Sequence, residues 1–118
     1  KLHEIRAFTQ QQEEKEALIR SAIQNRRYIE FRYKGSEGLT RVVEPYCLGI
    51  NHLNNHVLRG FQTEGYSFRG CPNWKMYCIK DIIGLGVINN KTFTRIRQGY
   101  RKGDTEIVNI ILEVDYYK

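Results

Sequence analysis

No stretch of this chain approaches the roughly 20 consecutive apolar residues that a membrane helix requires, so a membrane partner is not expected. Nor is there a secretory leader: Lys1–Phe8 is interrupted by charge and no long apolar run follows. Cysteine is scarce. Cys47, Cys71 and Cys78 make an odd number in no recognisable framework, so they read as reduced thiols in a reducing compartment, and the cytoplasm is the expected location. No CxxC pair occurs. His52 and His56 are four residues apart, but Asn51-His-Leu-Asn-Asn-His56 is turn chemistry, not a helix that would aim both rings at one metal. Neither a metal nor another cofactor is expected.

The groupings that catalysis needs are missing too. No Ser-His-Asp or Cys-His pair has neighbouring segments to orient it, and no Gly-rich loop opens a helix. Carboxylates cluster only in the Glu13–Glu16 run. An enzyme would have to use Cys71 or Cys78 as nucleophile with His52 or His56 as base; the expectation is a protein that is not an enzyme.

Acidic residues are thin in the middle of the chain. Between Arg26 and Lys102 there are fourteen Lys/Arg against five acids, an excess of nine, in a chain whose formal net charge is +6. A basic middle interleaved with aromatics suits an anionic partner, because neutralising phosphates supplies affinity whatever the sequence. The plainer account is a solvated basic surface that maintains solubility.

What remains is one domain of 118 residues, with 41% hydrophobic and 27% charged residues. The chain begins with Lys, as an excised piece of a longer protein would. Residues 1–9 read as a tail with Thr9 as N-cap, and 10–27 as an amphipathic helix with acids early and arginines late. Strands are expected at Tyr28–Lys34, which alternates strictly, at Leu39–Ile50, interrupted by Pro45, at Asn55–Gln62 and at Trp74–Lys80. A helical turn at Asp81–Gly84 and a segment Leu85–Phe93 complete a body over about 28–93. Residues 94–118 form a basic, then β-prone extension whose apolar run, Ile107–Val114, wants a partner sheet. The fold class is mainly β (α+β), a small barrel or strongly bent antiparallel sheet behind one helix.

Several blocks resemble the WYL domains of bacteria and phages. They are Ile23-Gln-Asn-Arg-Arg-Tyr-Ile-Glu-Phe-Arg-Tyr33, Arg41-Val-Val-Glu-Pro-Tyr-Cys-Leu48, His56-Val-Leu-Arg-Gly-Phe61 and Trp74-Lys-Met-Tyr-Cys-Ile-Lys-Asp-Ile82. Where the naming Trp-Tyr-Leu would fall, this chain has His56-Val57-Leu58. The resemblance implies an Sm-like barrel behind the helix. It also implies a ligand-sensing or nucleic-acid-binding role of the kind found in transcription regulators and phage-defence proteins, CRISPR accessories included. Such regulators carry the domain beside a DNA-binding helix-turn-helix. One helix is too few for that motif, so an attached DNA-binding domain would lie in a longer protein.

Arg41, Arg59 and Lys75 come from three expected strands, with Tyr46, Ser67 and Tyr77 offering hydroxyls and Arg69 placed to close over a bound group. Arginine forks with hydroxyls suit phosphate. The expected ligand is a nucleotide or single-stranded nucleic acid, with Arg41, Tyr46, Arg59, Ser67, Arg69, Lys75 and Tyr77 as its binding residues. Against this, Arg59 and Lys75 would be outward strand residues paired with Glu44 or Glu64. Phe61 and Trp74 read as core, while Tyr66 and Phe68 could stack bases. The competing account is a protein-interaction module, with Ile107–Val114 pairing with a second copy as a homodimer or with another partner.

Overall fold

The computed structural model describes residues 2–67 and 70–116. Helix α1 spans Leu2–Gln24 and is followed by β1 (Arg27–Tyr33), β2 (Ser36–Asn51), β3 (His56–Gly65) and β4 (Asn73–Cys78). A 3-10 turn (Ile79–Asp81) leads into β5 (Ile82–Thr92), and β6 (Ile107–Glu113) ends the fold.

The helix is longer at its start than expected. Thr9 is no cap: its hydroxyl donates to the Ile5 carbonyl one turn back, inside the helix (3.0 Å). Only the second half of α1 is covered, through Ile19, Ala22 and Ile23, so the first turns gain no tertiary burial that a reader of periodicity could detect. The helix ends where Arg26 adopts φ 50, a conformation usually left to glycine. Arg26 is held there by donating to the carbonyls of Thr94 (2.8 Å) and Asp115 (2.7 Å), which ties the C-terminal extension to the helix end.

All pairings are antiparallel, in the order β4-β3-β2-β1-β5, with β6 also on β2. The long strand β2 organises the sheet. One edge runs along β3 from Arg41 to Ile50, while the other serves β1 as far as Val43 and then β6 from Cys47 onward. Pro45 does not interrupt it. The strand continues through Pro45 opposite Gly60, and a register shift between Pro45 and Cys47 absorbs the missing donor.

The expected barrel does not close. A closed barrel pairs every edge, and among the described residues no ladder joins β4 to β5. Instead the end of β1 reaches across to the end of β4 and to the 3-10 turn: the Tyr33 hydroxyl accepts from the Cys78 amide (2.8 Å) and the Lys34 amide donates to the Asp81 carbonyl (3.0 Å). The bent sheet and the second half of α1 enclose a core built on Ile19, Ile23, Ile29, Phe31, Val43, Leu48, Leu58, Tyr77, Ile79 and Ile82. On β1 the inward face is Ile29 and Phe31, with Tyr33 half-buried, as the alternation predicts.

Candidate ligand-binding site

The residues expected to line one site divide between two ends of the sheet. Arg41 lies opposite Gly65 in the β2–β3 ladder, and Arg59 lies opposite Cys47. The two positions are six apart along β2, at most about 20 Å at 3.3 Å per residue.

At the first end, the half-buried Arg41 enters a ring of tyrosines. Its guanidinium carbon lies 5.2 Å from the Tyr33 ring centroid, 5.6 Å from that of Tyr66 and 5.9 Å from that of Tyr77, within cation–π range. Nη2 donates to the Ser36 hydroxyl (2.9 Å), and the buried Nε–H has no hydrogen-bond partner among the described residues. No carboxylate among the described residues pairs with it. The surroundings are fixed by the fully buried Gln62, whose Oε1 accepts from Tyr77 (2.6 Å) while Nε2 donates to the Tyr66 carbonyl (2.7 Å). Burial pushes the Tyr77 phenol up, with Arg41 pulling the other way, and burial pushes Tyr33 up to about 12. Lys75, half-buried, shares the Tyr77 face of β4 and lies near Cys71, whose thiol burial raises and Lys75 pulls back. The Ser67 hydroxyl donates to the Gly70 carbonyl in its own turn (2.8 Å). Arg69 and Phe68 lie outside the described residues.

At the other end, Arg59 is already engaged. Nε donates to Asp104 Oδ2 (2.6 Å) and Nη2 to Glu106 Oε1 (2.9 Å), so its partners are neither Glu44 nor Glu64. Burial works against the guanidinium charge, and the two carboxylates more than offset it. A cleft of about 250 Å³ opens beside this group, between Trp74, Tyr100, Arg101 and the two acids.

Between the ends sits a buried knot that absorbs Tyr46. Glu44, with no exposed surface, accepts from Tyr28 (2.6 Å), from Tyr46 (3.0 Å) and from Nε and Nη2 of Arg97 (3.0 and 2.7 Å). The Tyr46 hydroxyl also accepts from the Arg97 amide (3.0 Å) and the side chain is fully buried, so it holds the fold together and is closed to a ligand. Phe61 and Trp74 pack half-buried against the core, with ring centroids 5.1 Å apart, whereas Tyr66 is 43% exposed. Glu64 pairs with Lys91 (3.4 Å). His52 sits exposed on the β2–β3 turn. His56 Nδ1 lies 2.9 Å from Glu16 Oε2, where the start of β3 meets α1.

Sequence reasoning took Arg97, with Arg95, Arg101 and Lys102, for a phosphate-tracking strip or a solvated linker and not for the partner of Glu44, and it gave Asp104 and Glu106 no role. Their partners lie 45 to 53 positions away, and no local pattern in the extension marks them.

No curated protein matches the chain. Among solved structures, proteasome accessory factor B/C (PafBC) of Arthrobacter aurescens superposes with a TM-score of 0.59 at 18% identity. The match covers 75% of this chain and 13% of that one, so the chain spans a small part of that protein's length and the likeness is one of fold. The family model of the WYL domain matches residues 14–63, from the covered half of α1 into β3, and over that stretch, which holds Arg41, Glu44 and Arg59, the chain is similar to a WYL domain.

Proposed function

We propose that the chain is the ligand-sensing part of a regulator, of the kind found in transcription regulators and phage-defence proteins, and that its ligand is an anion received at Arg41. The observation that carries this is the Arg41 guanidinium, half-buried among tyrosines with a buried Nε–H that has no partner among the described residues. A buried charged donor left unmade is costly, and an oxyanion satisfies it while the aromatic ring screens the pair from water. Tyr66, exposed on the loop after β3, offers a stacking surface beside the charge, which favours a nucleotide or single-stranded nucleic acid over a bare inorganic ion. None of this requires catalysis, so the protein acts by binding.

Fluorescence anisotropy with short labelled RNA and DNA at low and moderate salt tests the reading. Binding should weaken with salt and fall about 10- to 100-fold in Arg41→Ala, the range of a charge-assisted hydrogen bond. Arg41→Lys should restore little, since an ammonium lacks the planar fork. Unchanged affinity in a folded Arg41→Ala variant would remove Arg41 as the site.

A further inference from the structure

The cleft at Arg59 is distinct from the Arg41 end and holds a contradiction. It is walled by a guanidinium and two aromatic rings, as an anion site would be, yet the guanidinium is filled by the chain's own carboxylates. The two are not equivalent. Asp104 is 9% exposed at its side chain, and its other oxygen accepts from the Glu106 amide (3.0 Å). Its carbonyl accepts from the Ile107 amide (3.1 Å), so Asp104 shapes the turn that starts β6. Glu106 is 72% exposed and meets only Nη2, and an ion pair that open to water is weak. Asp104 on Nε therefore fixes the orientation of Arg59, and Glu106 occupies the edge facing the cleft.

We propose that this cleft is a second, latent anion site whose ligand is a phosphate monoester, and that Glu106 is a built-in competitor holding it shut. A phosphate oxygen replaces the Glu106 carboxylate on Nη2, with Arg101, which also lines the cleft, as the second cation. The Trp74 and Tyr100 rings, 5.7 Å apart at their centroids, give the ester group an apolar wall. The volume of about 250 Å³ lies below that of pockets for drug-sized ligands, so it admits a phosphate with part of a ring and not a strand of nucleic acid. The same segment clasps the reporter of the site. Trp74 Nε1 donates to the Gln98 carbonyl (3.1 Å), and Gly99, at φ +91, approaches so closely that a Cβ there would lie 3.0 Å from that nitrogen.

Trp74 is the single tryptophan, so its fluorescence reads the cleft directly. The full chain is titrated at low salt with adenosine 5′-monophosphate, and with adenosine as the uncharged control. Removing a weak competing carboxylate should tighten binding about fivefold in Glu106→Gln. Glu13→Gln, the same charge change on the remote helix, should leave affinity unchanged. Arg59→Lys, which retains the charge and loses the fork, should lose the response, and adenosine should give none. Equal affinity in parent and Glu106→Gln overturns the proposal. So does an equal gain in Glu13→Gln, or a Trp74 signal that no variant changes at millimolar nucleotide. Arg41→Ala separates the two sites: it should retain the Trp74 response even though it loses the oligonucleotide.

Discussion

Tyrosine hydroxyls hold this protein together more than they expose themselves to a ligand. Tyr28 and Tyr46 donate to Glu44, Tyr77 to Gln62 and Tyr100 to Glu113, while Tyr33 accepts from the backbone of β4. Burial is the first cause that raises Tyr33, Tyr46, Tyr77 and Tyr100 above their ordinary value of 10, Tyr33 to about 12. The sign of the consequence is fixed. In the unfolded chain these phenols ionise near 10, and the folded chain keeps their protons longer, so between pH 10 and 12 unfolding releases protons and stability falls as pH rises. Below pH 10 they contribute nothing to the slope. Tyr33 alone should cost about 2–3 kcal/mol by pH 12. Near-ultraviolet circular dichroism and tyrosinate absorbance, followed together from pH 9 to 12, should show the buried tyrosinates appearing only as the fold is lost. Titration of all eight tyrosines near 10 with the dichroism intact would contradict this. At this scale the sequence was legible in part. It marked Arg41, Arg59 and Tyr77 as more than solvated side chains, but a residue type does not say whether its hydrogen bonds are already taken, and Tyr46 and Arg59 are taken.

Among the elements, β6 shows best where a pattern stops being informative. Its apolar run signals a strand in need of a sheet, and a second copy of the chain would serve as well as anything. The partner is β2 of the same chain, whose edge becomes free past Val43 because β1 ends its pairing there. Alternation gives the face of a strand and is silent on its neighbours, so β1 was readable and the placement of β6 was not. The contact depends on Gly49. A Cβ there would lie 2.2 Å from Ile107 Cγ2 and 2.4 Å from the Asn109 carbonyl oxygen, so β6 has to back away to admit one. Gly49→Ala should cost about 1–3 kcal/mol, as overpacking does. Hydrogen exchange should then rise across Ile107–Glu113 while β3 stays protected. Equal protection of β6 in the variant would mean that β2 yields instead. Because β6 follows directly on Asp104 and Glu106, loosening it should also loosen the hold on Arg59.

For the whole molecule, charge is the property that composition states most firmly and structure most changes. An excess of nine positive charges over residues 26–102 suits a broad phosphate-binding surface and a plain solvated one equally well. Arg59 is countered by Asp104 and Glu106 from beyond that segment, and Arg97 is locked on Glu44. Arg26 and Arg27 spend donors on carbonyls of their own chain. A single strand that touches only the Arg41 end makes about two phosphate contacts at most. The dependence of log K on log salt has a slope near −0.7 per phosphate for single strands, so two contacts give a slope near −1.5. Nine would give about −6. Anisotropy titrations of one oligonucleotide across a salt series should return the shallow value. The steep one would mean that the strand wraps the whole basic surface and opens the ion pairs at Arg59 and Arg97 to do so. The slope therefore decides whether this chain reads its ligand at a point, as a sensor does, or merely coats it.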